Sequence, residues 1–116
     1  MKRDSLLLLE DILTSIDLIE KYTKNLNLSK LEKKIEKQDS LIRRIEIIGE
    51  AAKNLPLDFR NKYSSVPWKD IAGMRDIIVH AYFGINLETV WKVVKNELPK
   101  FKKQIHQILE AEKRNV

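Results

Sequence analysis

The sequence predicts an all-α fold, an antiparallel helical bundle of four main helices plus a short connecting helix. Three observations predict it. Apolar residues recur at three- and four-residue spacing along most of the chain, glycine and proline number only 3 each in 116 residues, and 43% apolar against 34% charged residues matches one buried core under a solvated surface. This length supplies one core but not two, so a single helical domain over 1–116 is expected.

The first helix is expected to open at an Asp4 or Ser5 cap and to run to about Asn25. Leu9, Ile12, Ile16 and Ile19 form its buried stripe, broadened by Leu6, Leu8 and Leu13. Asn25, Asn27 and Ser29 read as a connection. Ser29 and Glu32 have capping-box spacing and start a second helical stretch, interrupted near Gln38 to Ser40 and continuing to Asn54. Leu41, Ile45, Ile48 and Ala52 share one face of it, and Gly49 gives a neighbouring helix room to approach. Pro56 ends that helix, and residues 57 to 66 form one or two short turns.

Pro67 is well placed as the first residue of a helix to about His80. Phe83-Gly84-Ile85-Asn86 is then a turn. From Leu87 onward Val90, Val94, Leu98, Phe101, Ile105 and Ile108 keep a helical stripe, which Pro99 should kink near Lys95 to Glu97. No internal repeat or low-complexity tract interrupts the pattern.

Composition also sets bounds on function. Lysine and arginine total 22 against 17 acidic residues, a net +5 that favours a polyanionic partner modestly. Part of this charge is the ordinary solvated face of helices, as the mixed run Lys30 to Lys37 with Glu32 and Glu36 illustrates. Cysteine is absent, which removes disulfides, thiolate chemistry and Cys-based metal sites. The Leu6 to Leu9 run is too short for a signal segment or a membrane span, so no membrane association and a cytoplasmic location are expected. His80 and His106 stand 26 residues apart without the spacing of a zinc motif, and Gly49, Gly73 and Gly84 belong to no Walker or dinucleotide loop. No metal and no cofactor are therefore expected.

Chemistry concentrates in Arg75-Asp76-Ile77-Ile78-Val79-His80-Ala81-Tyr82. Arginine offers a fixed fork of donors for phosphate oxygens, and histidine exchanges protons near neutrality. Asp76 and His80 are four apart, so on one helix the carboxylate can orient the imidazole and support its charged form. A helix C-terminus at His80 would favour that charge as well. Arg75 and Tyr82 return to nearly the same angle, whereas Arg75 and His80 lie about 140° apart on a regular helix. Either the helix loosens around Ala81 to Gly84, or two copies face each other and each supplies part of one site; the second arrangement is preferred. Such a site suits RNA cleavage without a metal. His80 would take or give a proton, Arg75 would bind the phosphate, and Tyr82 would contact phosphate or stack on a base.

Plainer roles compete for the same residues. A histidine near an aspartate at a helix end is often only a cap or a surface pair. His106, between Gln104 and Gln107, reads as surface, and Trp68 and Trp91 read as packing anchors because both adjoin core positions. Glu50, in an otherwise apolar helix, is either a buried carboxylate partnered by a group such as Arg75 or an edge residue.

Arg75-x4-His80-x-Tyr82, with a polar residue directly after the arginine, resembles the signature of the HEPN superfamily. Ile47-Ile48-Gly49-Glu50-Ala51-Ala52, Val66-Pro67-Trp68, Gly73-Met74-Arg75-Asp76 and Tyr82-Phe83-Gly84-Ile85-Asn86 narrow the resemblance to its HepT-like branch, also called DUF86, over almost the whole chain. The resemblance implies a helical bundle that forms a homodimer, with the Arg-His motifs on a shared cleft. It further implies a metal-independent endoribonuclease toxin of a prokaryotic toxin-antitoxin pair, with RNA as substrate and a minimal nucleotidyltransferase as antitoxin. Catalysis would map to Arg75, His80 and Asp76, substrate binding to Arg75 and Tyr82, and AMP addition by the antitoxin to Tyr82. Asp76 stands where asparagine would also fit; an aspartate repels RNA but better supports a charged His80. A non-catalytic nucleotide-binding module, or a helical subunit of a nucleotidyltransferase complex, is the alternative reading of the same residues.

Overall fold

In a computed structural model the chain is described over residues 3–74, 76 and 87–114, and every regular element among these is helical. The expected fold class holds. Helix α1 (Arg3–Thr23) carries the apolar stripe as read, with Leu9, Ile12, Ile16 and Ile19 at 1% exposure or less and Leu6, Leu8 and Leu13 packed partly buried beside them. It stops two residues before Asn25. Asn25 takes φ 62°, a left-handed conformation that asparagine tolerates and that cannot continue a helix. The Thr23 hydroxyl donates back to the Ile19 carbonyl at 2.8 Å, which satisfies a buried side chain at the last turn.

The second helical stretch differs from its expected form. Helix α2 (Leu28–Glu32) begins two residues earlier than a Ser29 cap implied, because Asn27 is its cap and accepts the Lys30 backbone N–H at 2.8 Å. The interruption falls at Lys33 and Lys34, not at Gln38 to Ser40, and α3 (Ile35–Asn54) runs through those residues unbroken. Gln38 explains the shift. Its side-chain amide donates to the carbonyls of Leu31 and Glu32 at 2.9 and 3.2 Å, closing the open end of α2 from the first turns of α3. Leu41, Ile45, Ile48 and Ala52 are all buried on one face, as expected.

Ahead of Pro56, Leu55 is extended at φ −65° and ψ 136°, and α3 ends there. Helix α4 (Leu57–Lys62) is the short connection, and α5 (Trp68–Ala72) follows with Pro67 just outside its first turn. The expected helix to His80 is described only through this turn and the helical residues Met74 and Asp76; beyond Asp76 it lies outside the described residues, as does the expected turn at 83–86. Gly73 sits at a tight point. A Cβ there would meet the Lys69 carbonyl oxygen at 3.2 Å, so glycine suits a turn whose N–H also donates to that oxygen at 2.9 Å.

The C-terminal arm comprises α6 (Leu87–Lys92), one π-helical turn (Val93–Glu97) and α7 (Leu98–Arg114). Its stripe is buried at Val90, Val94, Leu98, Phe101, Ile105 and Ile108. The disturbance expected from Pro99 takes the form of this wide turn, in which the Leu98 N–H reaches back to the Val93 carbonyl. Pro99 has no N–H for the Lys95 carbonyl and crowds it, so a regular turn would be strained here. Register favours the same solution. Val90, Val94 and Leu98 step by four, a drift of about 80° over two regular turns, and a wider turn takes that rotation back.

Helices α1 and α3 make the most extensive contact, and α7 crosses α1 while α5 packs on α3. The pair is antiparallel: Leu8 and Asp11 near the start of α1 share a groove with Arg43 to Asn54 in the later part of α3. All buried apolar residues from these elements form one cluster. Among the described residues no helix is long and apolar enough to cross a membrane.

Candidate active site

The chain enters and leaves the Arg75 to Tyr82 stretch from firm anchors. On the entering side, Trp68 is 5% exposed, donates its indole N–H to the Tyr63 carbonyl at 3.0 Å and meets the Phe101 ring edge-on with centroids 5.9 Å apart. A buried indole bonded in this way is a packing anchor, as its sequence position indicated. Ile71 and Met74 are buried behind it. On the returning side Val90, Val93 and Val94 are buried in the same core. Met74 and Val93 also line one cavity of about 440 Å³, so described residues from both sides of this stretch meet at its lining. Ile71 and Phe101 share its apolar lining, with Asp70, Glu97, Lys100 and Gln104 as the polar members.

Of the expected site residues, Asp76 is the one described. It is helical and exposed, and its N–H donates to the Gly73 carbonyl at 3.0 Å. Helical geometry at Asp76 directs position 80 to the same face only if the helix continues, and Arg75, His80 and Tyr82 lie outside the described residues. Glu50 is half-buried in the α1–α3 groove with Leu8, Asp11, Arg43, Glu46 and Ile47. The pairing anticipated between Glu50 and Arg75 likewise falls outside the described residues. His106 is exposed, as expected, and Trp91 packs half-buried against the core with the Lys95 ammonium 4.8 Å from its ring centroid.

One charged contact was missed from the sequence. Glu112 is 3% exposed, and its carboxylate takes two hydrogen bonds from the Lys62 ammonium at 3.1 and 3.3 Å, tying α7 to α4. Burial pushes the carboxyl upward, but the hydrogen bonds and charge of Lys62 outweigh it and hold Glu112 below the usual carboxylate value. The bond to Glu112 in turn raises Lys62, and burial, followed by the Glu112 charge, raises the neighbouring Tyr63. The signal was present: Glu112 continues the spacing of Ile105 and Ile108 and so falls on the buried face. A second cross-link joins Lys102 on α7 to Asp17 and Glu20 on α1, at 3.1 and 3.0 Å. Among the described residues no group of three or more histidine or acidic side chains is placed to hold a metal ion.

A family profile described as Ribonuclease HepT-like matches residues 12–108, which contain the whole of the Arg75 to Tyr82 stretch. The chain is 49% identical over 115 residues to a Methanocaldococcus jannaschii protein named as a gamma-glutamylcyclotransferase and putative RNase, covering 99% of this chain and 52% of that one. It thus spans about half the length of that relative. Two others are matched over nearly their full length. A Caldanaerobacter subterraneus protein named as a putative RNase is 43% identical over 90% of this chain and 94% of its own. A Thermococcus cleftensis protein named as a probable ribonuclease HepT is 40% identical over 93% of this chain and 98% of its own. No solved structure gives a significant match.

Proposed function

Because the chain belongs to the HepT-like ribonuclease family, we propose that it is an endoribonuclease that cuts RNA without a metal ion, using Arg75, Asp76, His80 and Tyr82. The observation that carries this reading is the family match over 12–108, since it encloses the one stretch of sequence equipped for phosphate chemistry.

The reaction follows from the residue types. His80 accepts the proton of an RNA 2′-hydroxyl, whose oxygen attacks the adjacent phosphorus. The bond from phosphorus to the 5′-oxygen then breaks. A second imidazole, His80 of the other copy in a homodimer, protonates that leaving oxygen, and the products are a 2′,3′-cyclic phosphate and a 5′-hydroxyl end. Arg75 neutralises the charge that builds on the phosphoryl oxygens, where a planar fork of donors fits best. Asp76 holds the His80 ring, and its exposed position on the helix leaves it open to that role. Tyr82 contacts the phosphate or stacks on a base.

Regulation fits the same residues. The chain is the toxin of a toxin-antitoxin pair, and its antitoxin is a minimal nucleotidyltransferase that adds AMP to Tyr82. An added phosphate beside Arg75 and His80 would occupy the position of the RNA phosphate and repel the substrate, which accounts for silencing in simple electrostatic terms.

The test uses partner-free protein whose Tyr82 is shown by mass to be unmodified, incubated with a mixed RNA pool in EDTA. New RNA ends with the wild type, absent with Arg75→Ala and with His80→Ala, are expected. Absence of cleavage by the unmodified wild type, or cleavage that His80→Ala leaves unchanged, would contradict the reading and favour a non-catalytic binding module.

A further inference from the structure

The positive charge of the chain is unevenly placed. Between Lys24 and Arg44 there are seven basic and three acidic side chains, a net +4 out of the +5 of the whole chain. The structure gathers much of this charge at the junction of α2 and α3, where Lys30, Lys33 and Lys34 are exposed and Lys37 is half-buried beside Tyr22, its ammonium 5.5 Å from the ring centroid. Helix α2 packs against α6, which brings Lys92 and, one turn on, Lys95 over Trp91 to the same end of the molecule.

Clustering sets these lysines apart, since Lys53, Lys69, Lys100, Lys103 and Lys113 also engage no ion pair among the described residues but are spread over several elements. Lys62 and Lys102 have their charges held by Glu112 and by Asp17 with Glu20. Among the described residues, no ion pair engages Lys30, Lys33, Lys34 or Lys37, although Glu32 and Glu36 lie among them in sequence, and Lys92 has only a distant exposed partner in Glu88 at 3.9 Å. Four clustered lysines, outnumbering Glu32 and Glu36 among them, with the half-buried ring of Tyr22 under Lys37 and that of Trp91 under Lys95, form the pattern expected of a surface that follows a single-stranded backbone. The surface is also joined to the chemistry by the chain itself. Leu87 is seven residues past His80, so even a fully extended chain keeps them within about 25 Å.

We propose that the α2–α3 junction and α6 form a binding track for the sugar-phosphate backbone of single-stranded RNA, with Lys30, Lys33, Lys34 and Lys37 as the principal phosphate contacts and Lys92 and Lys95 extending it. This rests on the ribonuclease reading for the identity of the polyanion. It adds the surface that holds the substrate outside the Arg75–His80 site.

The test measures binding of a fluorescent single-stranded RNA of about a dozen nucleotides, 2′-O-methylated so that it cannot be cut by 2′-hydroxyl attack, between about 50 and 200 mM KCl. Wild type is compared with a variant carrying Lys30→Gln, Lys33→Gln, Lys34→Gln and Lys37→Gln, and with a control carrying Lys53→Gln, Lys100→Gln, Lys103→Gln and Lys113→Gln. Both variants lose the same charge, so only its placement differs. The track variant should bind at least tenfold more weakly, with a plot of log affinity against log salt about 3 units shallower, while the control changes less than threefold. A separate Lys92→Gln, Lys95→Gln variant should lose affinity in the same direction and guards against misfolding of the fourfold variant. Equal weakening by track and control variants, or unchanged binding by the track variant, would overturn the proposal; the second result would leave these lysines to an acidic protein partner. Cleavage of the unmodified RNA by the wild type is read in parallel. If the wild type does not cut but the placement effect holds, the track stands and the ribonuclease reading falls; if it cuts and the placement effect is absent, the reverse is true.

Discussion

The α1–α3 pair and the C-terminal arm cover the same core by different means. Leu9 to Ile19 on α1 and Leu41 to Ala52 on α3 step by three and four, and both helices are regular over 20 residues or more. The arm carries a comparable stripe, but its consecutive four-residue steps and Pro99 are met by a π-helical turn at Val93–Glu97. The regular pair supplies the rigid frame. The widened turn lines the cavity that is also lined by Met74, the residue that precedes Arg75 in the chain. Irregular helical turns of this kind are frequent near functional sites, since they place side chains that a regular helix would turn away.

Removing the bridge between the two regions should have the largest effect. Trp68→Ala empties the space between α5 and the arm and frees the Tyr63 carbonyl, so a loss of about 3–5 kcal/mol is expected in chemical unfolding. A loss below about 1 kcal/mol would show that α5 is not part of the common core.

The Lys62–Glu112 clamp sharpens the comparison through pH. A carboxyl held below its ordinary value contributes stability that is present above the unfolded value and is lost as pH falls through the folded one. Glu112→Gln should therefore lower the melting temperature at neutral pH, and the gap from wild type should narrow steadily as the solution is acidified below the ordinary carboxylate range. A gap independent of pH would mean that the charge of Glu112 contributes nothing and that only its shape matters.

Pro99→Ala gives the smallest expected change. Proline restricts the unfolded chain, but the register of Val90, Val94 and Leu98 also asks for the wide turn, so the variant should lose no more than about 1 kcal/mol and keep slow amide exchange at Leu98. A gain of several kcal/mol would show that proline alone forces the turn.

How far the sequence was legible follows from the range of each signal. The stripes of α1, α3 and the arm were readable because burial on one face repeats along the chain. Pro56 and Pro99 were readable because proline acts on its own neighbours. The break at Lys33 and Lys34 was misplaced because it depends on Asn27 and Gln38, one of which reaches back seven residues to Leu31. The Lys62–Glu112 pair joins residues 50 apart, and no local pattern names the partner of a buried carboxylate. For the candidate site, residue types and spacing gave Arg75, Asp76, His80 and Tyr82, while the preference for two copies around one cleft rests on helical angles and on the family resemblance.

The central claim is attack by the RNA's own 2′-hydroxyl under the control of His80. Its most direct test is the chemistry of the 3′ ends left on RNA cut by the wild type in EDTA. The account predicts 2′,3′-cyclic phosphate ends opposite 5′-hydroxyl ends, both lost in His80→Ala; 3′-hydroxyl ends opposite 5′-phosphates, or no new ends at all, would contradict it.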